Sequence, residues 1–265
     1  MLNDYENSKL GARYRPVSNY HGHNYMCGHA YGNVSDYVRQ AVECDFEVVG
    51  ISDHCVPPGG TCEPYMNPDT LVSEYLPQFA VAEKRYGKRI TIKKGAEIEF
   101  FPGYSDYYEN LLTKLDYLIM GQHEFLCDGA RVNSFWGGTD EKNFCAYCDT
   151  VKQGIASGYF AFVAHPDIIF YRNPDMTDRM TEAFDGLVRY AKEHGVPLEL
   201  NANGVRNHGF RYPTDALVDA CKKYDAPVVV SSDCHIPGEL CDGAMIDLYT
   251  YARSRGLNVV DIIDM

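Results

Sequence analysis

Short apolar segments alternate with longer amphipathic segments along the whole chain. The short segments are rich in β-branched and aromatic residues and are flanked by Gly or Pro, which is typical of strands, whereas the longer ones are typical of helices. The predicted strands are residues 18–23, 48–52, 90–98, 117–122, 160–165, 197–202 and 227–232, and the predicted helices are residues 34–44, 68–86, 104–115, 139–157, 177–194 and 214–224. Such alternation predicts parallel strands joined by right-handed crossovers.

Metal-binding residue types recur where these strands end. Seven of the nine histidines and two acidic residues hold such positions, namely His21, His23, His29, His54, Glu97, His123, His165, Asp233 and His235. Residues from many strand ends converge on one point only if the strands surround it. We therefore predict an α/β fold in which residues 1–265 form a single (β/α) barrel of about seven units, with a metal site at the carboxyl ends of its strands. A doubly wound open sheet is the alternative, and it would gather its ligands at one crevice.

The donor types narrow the choice of metal. His21 and His23 are separated by one residue, which places both imidazoles on the same face of a strand. Imidazole and carboxylate ligands suit Zn²⁺, Mn²⁺ or Fe²⁺ rather than Ca²⁺ or a soft thiolate-bound metal. Glu99 lies two residues beyond Glu97 on the same predicted face and is the alternative carboxylate.

The acidic composition limits the partners that we expect. A formal net charge of −13 disfavours a nucleic-acid binder, although bound divalent cations would still admit an anionic substrate. No signal peptide and no apolar run of about twenty residues are visible, so we expect no membrane association and a cytoplasmic location. The absence of a G-x-S-x-G elbow and of a Walker loop removes the serine-hydrolase and P-loop interpretations. Oligomeric state is not encoded in any readable pattern.

The ten cysteines are expected to be reduced thiols, because the chain is long and shows no export signal. Cys145 and Cys148 form a single C-x-x-C without a second pair, which favours a structural role. Cys27, Cys55 and Cys234 neighbour predicted ligands. Adjacent side chains on a strand point to opposite faces, so packing is the interpretation we favour for these three over oxidation sensitivity.

Seven short motifs carry a family resemblance. In chain order they are H-G-H-N, C-G-H-A-x-G, G-I-S-D-H, G-A-E, G-Q-H, A-H-P-D and S-S-D-C-H. With them the chain resembles, over nearly its full length, the PHP (polymerase and histidinol phosphatase) metallophosphoesterases, especially their histidinol-phosphatase branch. The resemblance implies a distorted (β/α)₇ TIM-like barrel that holds three divalent metal ions, which would be Zn, Mn or Fe.

The resemblance also implies a distribution of the ligands among the three ions. The first would be bound by His21, His23, Glu97 and Asp233, the second by Glu97 as a bridge with His123 and His165, and the third by His29, His54 and His235. Two ions about 3.5–4 Å apart can bridge a hydroxide that attacks a phosphoryl group in line. Asp233, His235 and Arg206 would be the catalytic residues.

The implied reaction is hydrolysis of a small phosphate monoester, with L-histidinol phosphate of histidine biosynthesis as the favoured substrate. The motif at His123 is G-Q-H-E-F, which departs from the S-V-H pattern of that branch. Another substrate of the same chemistry, such as a phosphotyrosine protein, a nucleotide or a sugar phosphate, therefore stays open. A non-catalytic metal-binding module is the alternative from a different class.

Four residues are predicted to contact the substrate. The pattern L-E-L-N-A-N-G-V-R matches the family through Arg206, which predicts a phosphate ligand because a guanidinium binds phosphate oxygens bidentately. Arg172 follows A-H-P-D and is a second candidate, with a solvent-facing structural role as the alternative. Asn203 and Tyr212 are expected at the mouth of the site, although Tyr212 also suits a packing role.

Three further features have two interpretations each. Asp53 precedes His54 and either orients a ligand or caps the following turn. The segment 56–67, rich in Pro and Gly, either covers the site or is a surface loop. His194 at a helix end and His208 in a loop are interpreted as residues without a role in the site.

Overall fold

A computed structural model of the chain describes residues 14–56, 65–207 and 209–265, so that His208 and most of the segment 56–67 lie outside the described residues. The strands in these ranges are β1 Ser18–Asn19, β2 Val48–Ile51, β3 Thr91–Ile98, β4 Tyr117–Gly121, β5 Glu124–Cys127, β6 Ala130–Asn133, β7 Phe160–Ala164, β8 Leu198–Asn201, β9 Pro227–Ser231 and β10 Asn258–Val259.

The helices alternate with these strands. They are α1 Val34–Glu43, α2 (Pro68–Thr70, the π-helical Leu71–Tyr75 and Leu76–Tyr86 in unbroken succession), α3 Ser105–Leu112, α4 Ser134–Gly137, α5 Glu141–Ser157, α6 Asp178–His194, α7 Ala202–Arg206, α8 Asp215–Tyr224 and α9 Gly243–Ser254. Single 3-10 turns form at Tyr25–Cys27, Ile168–Phe170 and Pro237–Glu239. Among the helices that the structure describes, none has the length and apolarity needed to span a bilayer.

Eight strands form one curled parallel sheet in the order β1-β2-β3-β4-β7-β8-β9-β10. Beyond the ends of β1 and β9 the chain pairs across the two sides of the sheet, where Gly22 bridges to Cys234 and the His23 amide donates to the Cys234 carbonyl at 2.9 Å. The Asp233 amide donates in turn to the His21 carbonyl at 3.0 Å. The prediction of a distorted barrel with parallel strands is therefore confirmed, and the open sheet is not formed.

Large side chains fill the barrel below the mouth. Tyr117 occupies the space that Gly50 and Gly95 leave, since a Cβ on either glycine would lie 2.2 Å from its side chain. The Tyr117 hydroxyl donates to the Tyr20 carbonyl at 2.6 Å. This inner cluster also contains Val48, Ile119, Phe162, Ala164 and Val229. The interior of the barrel thus has a packed floor below the carboxyl ends of the strands.

The predicted helix ends agree with the caps that the structure shows. Thr214 accepts from the Leu217 amide at 3.1 Å at the start of α8. Gly195 ends α6 in the left-handed region at φ 67°, where a residue without Cβ is unstrained. Asn67 caps α2, which begins at Pro68, and its side chain accepts from the Asp69 amide at 2.9 Å. Local sequence signals therefore placed these boundaries correctly.

Six strands and helices in the described part of the chain were not predicted, namely β5, β6, β10, α4, α7 and α9. The hairpin β5–β6 turns at Asp128 and Gly129, whose φ values of 52° and 77° fit an Asp-Gly hairpin turn. Helix α9 and strand β10 follow β9 and add an eighth strand to the sheet. The predicted first strand, residues 18–23, is shorter than expected, because residues 22–23 pair across the barrel with the segment after β9.

Candidate metal centre

The predicted ligands meet at the carboxyl ends of the barrel strands around a cavity of about 340 Å³. Eight of the nine line this cavity, namely His23, His29, His54, Glu97, His123, His165, Asp233 and His235. His21 is the ninth and is completely buried, against His23. Side chains from six strands and their following loops therefore converge, as the strand-end pattern predicted.

Glu97 occupies the centre of the cluster. It extends from β3 toward Gly121 at the end of β4, where a Cβ would lie 2.0 Å from Glu97 Oε1, so glycine is required there. Five imidazole nitrogens surround the carboxylate. Oε1 lies 2.9 Å from His165 Nε2 and 3.6 Å from His123 Nε2. Oε2 lies 3.0 Å from His54 Nδ1, 3.4 Å from His21 Nε2 and 3.6 Å from His23 Nε2. A carboxylate in this position can bridge two cations.

A second convergence involves His21, His23 and Asp233. The two Nε2 atoms lie 3.2 Å apart, and Asp233 Oδ1 lies 3.0 Å from His23 Nε2 and 3.6 Å from His21 Nε2. Asp233 adopts φ 47°, in the left-handed region that a non-glycine residue occupies at a cost. In this strained conformation the Asp233 carboxylate points toward both histidines.

The remaining histidines stack at the mouth. The ring of His23 lies 4.3 Å from that of His54 and 4.5 Å from that of His235, and the ligand atoms of these three lie within 4.8 Å of one another. The ring of His29 lies 5.0 Å from that of His235. His29 is exposed and is absent from the compact ligand groups that the described residues form. The structure thus gathers eight predicted ligands closely and places His29 at the rim.

The two central carboxyl groups are held in their charged form. Burial acts to raise their pKa values, but the imidazoles around them outweigh burial. His21 and His54 hold the pKa of Glu97 well below its ordinary value, and His21 and His23 do the same for the pKa of Asp233. The centre therefore carries negative charge that requires a positive partner.

The imidazoles divide into two groups by pKa. For His23, burial acts to lower the pKa, but hydrogen bonds with Asp233 and Asp53 raise it to about 9. For His54 and His235, burial prevails and lowers the pKa to about 3 and about 4. Some rings therefore hold protons that a cation would displace, whereas others are already neutral and able to act as ligands.

The residues present fit a divalent cation. Glu97 Oε2 is buried and makes no hydrogen bond within the described part of the chain, although three imidazole nitrogens point toward it. The donors are nitrogen and oxygen atoms, which suit Zn²⁺, Mn²⁺ or Fe²⁺. The neighbouring thiols of Cys27, Cys55 and Cys234 have pKa values raised to about 12, chiefly by burial. They are therefore protonated and unreactive, as the packing interpretation predicts.

Sequence reasoning missed one carboxylate behind the ligands. Glu199 on β8 is completely buried, with Oε1 2.8 Å from His21 Nδ1, and its Oε2 accepts from the His165 amide at 2.8 Å. Asn201 Nδ2 donates to Glu199 Oε2 at 2.9 Å and to Asp233 Oδ2 at 3.0 Å. These contacts orient the ligands. The available signal was a Glu and an Asn two residues apart on the inward face of a predicted strand.

Asp53 and Glu99 orient ligands in the same manner. Asp53 Oδ1 lies 3.3 Å from His23 Nδ1, which fits the predicted orientation of a ligand, and it also accepts from the amide of the next residue, His54, at 2.9 Å. Glu99 Oε1 lies 3.0 Å from His123 Nδ1. The structure therefore places Glu97 at the centre and Glu99 behind one histidine.

The four predicted substrate residues divide into two pairs. Asn203 and Tyr212 line the cavity, and Asn203 Nδ2 donates to Asp233 Oδ2 at 3.3 Å. Arg172 is exposed and lies over the ring of Trp136, 3.7 Å from its centre, which agrees with its structural alternative. Arg206 does not line the cavity either, because α7 directs its side chain to the loop after β9. The expectation of phosphate contacts from the two arginines is therefore not matched by their positions.

The outer wall of the cavity is aromatic and carries no basic side chain. Residues that were not predicted line this wall, namely Tyr65, Phe135, Asn207, Phe210 and Glu239. Phe210 stacks on Tyr212 with ring centres 5.4 Å apart, and Phe135 lies 6.3 Å from Phe210. Within the described ranges, neither lysine nor arginine lines the cavity. A bound anion would depend on the metal centre and on amide groups.

Metal binding is expected to release protons and to become tighter as the pH rises toward about 9. The pKa of His23 in the metal-free protein is raised to about 9, and the pKa values of His21 and His123 are raised as well. Below these values a proton occupies a nitrogen that the cation needs. Zinc titrations by calorimetry at pH 7, in two buffers that differ in ionisation enthalpy, measure the protons released. Equal heats in both buffers would contradict the expectation.

Comparisons with known proteins identify the family that the sequence motifs indicate. The family model described as PHP domain matches residues 19–203. A protein of Deinococcus radiodurans named probable histidinol-phosphatase is 26% identical over 230 residues, which cover 83% of this chain and 86% of that protein. A protein of Acetivibrio thermocellus named probable phosphatase is 26% identical over 225 residues, with coverages of 83% and 80%.

A solved structure also has this architecture. Histidinol phosphate phosphatase from Lactococcus lactis subsp. lactis, complexed with Zn, L-histidinol and phosphate, matches with a TM-score of 0.70 at 16% identity, and the match covers 94% of this chain and 99% of that chain. At this identity the likeness shows a shared fold.

Proposed function

The chain belongs to the PHP domain family, and from this premise we propose that it is a metal-dependent phosphomonoesterase whose preferred substrate is L-histidinol phosphate. The single observation that carries the proposal is the convergence of eight candidate ligand side chains, with the buried, charged carboxylate of Glu97 at their centre. A non-catalytic module would not need an open cavity beside such a cluster. The free thiols of the described cysteines agree with the expected cytoplasmic location.

Three divalent cations would be held by the predicted ligand set. When bound, such ions supply Lewis-acid polarisation of a phosphoryl oxygen and a water of lowered pKa. Asn203 and Asn207 place amide groups on the cavity wall, where they can donate to phosphoryl oxygens. In the net reaction the ester P–O bond breaks and a P–O bond to water oxygen forms. One proton of that water ends on the leaving alcohol, and the other stays with phosphate.

The aromatic wall supports a substrate with a flat leaving group. Phe135, Phe210 and Tyr212 can stack on an imidazole ring. Glu239 adds a carboxylate to the same cavity, which suits an ammonium group and disfavours further anionic groups. The aromatic wall favours histidinol phosphate over sugar phosphates, which have no flat ring, and the Glu239 carboxylate favours it over nucleotides that carry further phosphate groups. Phosphotyrosine is the second candidate, because its phenyl ring suits the same wall.

Phosphate release from L-histidinol phosphate by the metal-loaded protein tests the proposal. We expect a kcat/KM of about 10⁴ M⁻¹s⁻¹ or more, within the ordinary enzyme range. Phosphotyrosine and p-nitrophenyl phosphate are assayed in parallel with Mn²⁺ and Zn²⁺. Turnover of the generic ester alone would contradict the substrate assignment, and no release from any monoester would contradict the phosphatase itself.

The Asp233→Asn variant is the matched control for contaminating phosphatases. Asp233 lies between His21 and His23, and asparagine keeps its shape while it removes the charge. We expect this variant to fold and to release no phosphate. Activity equal to that of the unsubstituted protein would exclude Asp233 from the centre.

A further inference from the structure

Arg206, at the end of α7, contacts the loop that follows β9. Its Nε donates to Asp242 Oδ2 at 2.7 Å and its Nη2 to Asp242 Oδ1 at 3.2 Å, which is the two-pronged pairing of a guanidinium with a carboxylate. Nη1 donates to the Ser232 carbonyl at 3.3 Å, and Nη2 donates to the Glu239 carbonyl at 3.1 Å. One side chain thus joins three points of the loop.

These three points enclose the segment that carries two ligands. Ser232 directly precedes Asp233, and its hydroxyl donates to the Glu239 carbonyl at 2.7 Å. The Glu239 side chain accepts from the His235 amide at 2.8 Å through Oε2. Arg206 therefore holds both the start of this segment and the residue that closes it.

The backbone at Asp233 needs such support. A non-glycine residue in the left-handed region, here at φ 47°, is strained and persists only where its surroundings fix it. The Asp233 amide is tied to the His21 carbonyl, and Arg206 fixes the preceding carbonyl.

We propose that Arg206 is a positioning residue that clamps the loop from Ser232 to Asp242, so that Asp233 and His235 point into the metal centre. In this role it does not bind the phosphate of the substrate. Its charge is paired with Asp242, and its side chain is only 14% exposed. The inference rests on the metal centre of the proposed function, but not on the identity of the substrate.

Zinc affinity of the metal-free protein, measured by competition with a chromophoric chelator, tests the clamp without any substrate. Arg206→Gln and Asp242→Asn are each expected to weaken the weakest zinc site about 10- to 100-fold, the usual effect of removing a partner behind a ligand. The zinc affinity of the double variant is expected to equal that of the single variant with the lower affinity, because both substitutions break the same contact. Circular dichroism checks that the variants are folded.

Two further variants serve as controls. Asp242 also caps α9, since Oδ1 accepts from the Met245 amide at 3.0 Å, and asparagine preserves such a cap. Asp140→Asn removes an equivalent capping charge from α5, away from the arginine, and should leave zinc affinity unchanged. Arg206→Lys keeps the positive charge but cannot make the two-pronged contact with Asp242, so it should not restore the zinc affinity.

A direct phosphate contact gives the opposite result. Arg206→Gln would then bind zinc with unchanged affinity, its KM for the monoester would rise, and inhibition by inorganic phosphate would weaken. Asp242→Asn with unchanged zinc affinity would overturn the clamp even if Arg206→Gln failed to fold. Loss of zinc affinity in both variants supports the clamp whether or not histidinol phosphate is the substrate.

Discussion

Replacing Glu97 with glutamine is expected to lower kcat/KM by at least about 1000-fold, because losing about 4 kcal/mol of charge stabilisation corresponds to three powers of ten in rate. Glu97 contacts imidazoles from five positions and is buried with a pKa well below its ordinary value. A neutral amide is a weaker ligand for a divalent cation than a carboxylate, so zinc content measured by mass spectrometry of metals should fall together with the rate.

Glu99→Gln is the matched control, one residue beyond the end of the same strand. Glu99 contacts only one of the ligands in the described cluster, at His123 Nδ1. We expect Glu99→Gln to weaken zinc binding about 10- to 100-fold. High zinc concentration should then restore most of the phosphatase activity of this variant. If Glu99→Gln were the more damaging substitution under saturating zinc, Glu97 would not be the central bridge.

Removing metal with a chelator is expected to abolish phosphatase activity and to lower the Tm by about 10 °C. A ligand present at a thousand times its Kd stabilises the folded state by about 4 kcal/mol, and about 2–4 °C of Tm corresponds to each kcal/mol in a domain of roughly this size. The physical reason is that Glu97 and Asp233 lie in a low-dielectric site that the cations would neutralise.

Differential scanning fluorimetry and phosphate release on the same samples measure both effects. Adding back Mn²⁺ or Zn²⁺ should restore both the phosphatase activity and the Tm. Chelator already saturated with zinc is the control for effects of the chelator itself. Full activity in protein whose metal content has fallen to background would refute a metal-dependent reaction.

The side chains that form the candidate metal centre could be predicted from the sequence because their positions depend on local features. A strand end is marked by the end of an apolar run, and in a barrel all such ends face one mouth. His21, His54, Glu97 and His165 therefore required no knowledge of which strands are neighbours. The same holds for the ends of the helices predicted at residues 177–194 and 214–224.

Of the residues behind the ligands, Asp53 was a candidate from the sequence because it adjoins His54, whereas the roles of Glu199 and Arg206 were not predicted. Glu199 is recognisable only when β8 is known to lie opposite His21, 178 positions away along the chain. Arg206 matches a family pattern for a phosphate ligand, yet its direction is set by the short helix α7 and by the carboxylate of Asp242 on a separate loop. Contacts of this kind join elements that are far apart along the chain, so they can be recognised only when the packing of these elements is known.

The sequence by itself therefore determined the parallel barrel, the place of the metal site and the type of its donors, because strand periodicity and residue chemistry are local properties. Only the tertiary structure decided which carboxylate is central, where the two arginines point and what lines the cavity. Gly121 illustrates the reason: its lack of a side chain gains meaning only because Glu97 from the neighbouring strand fills that space.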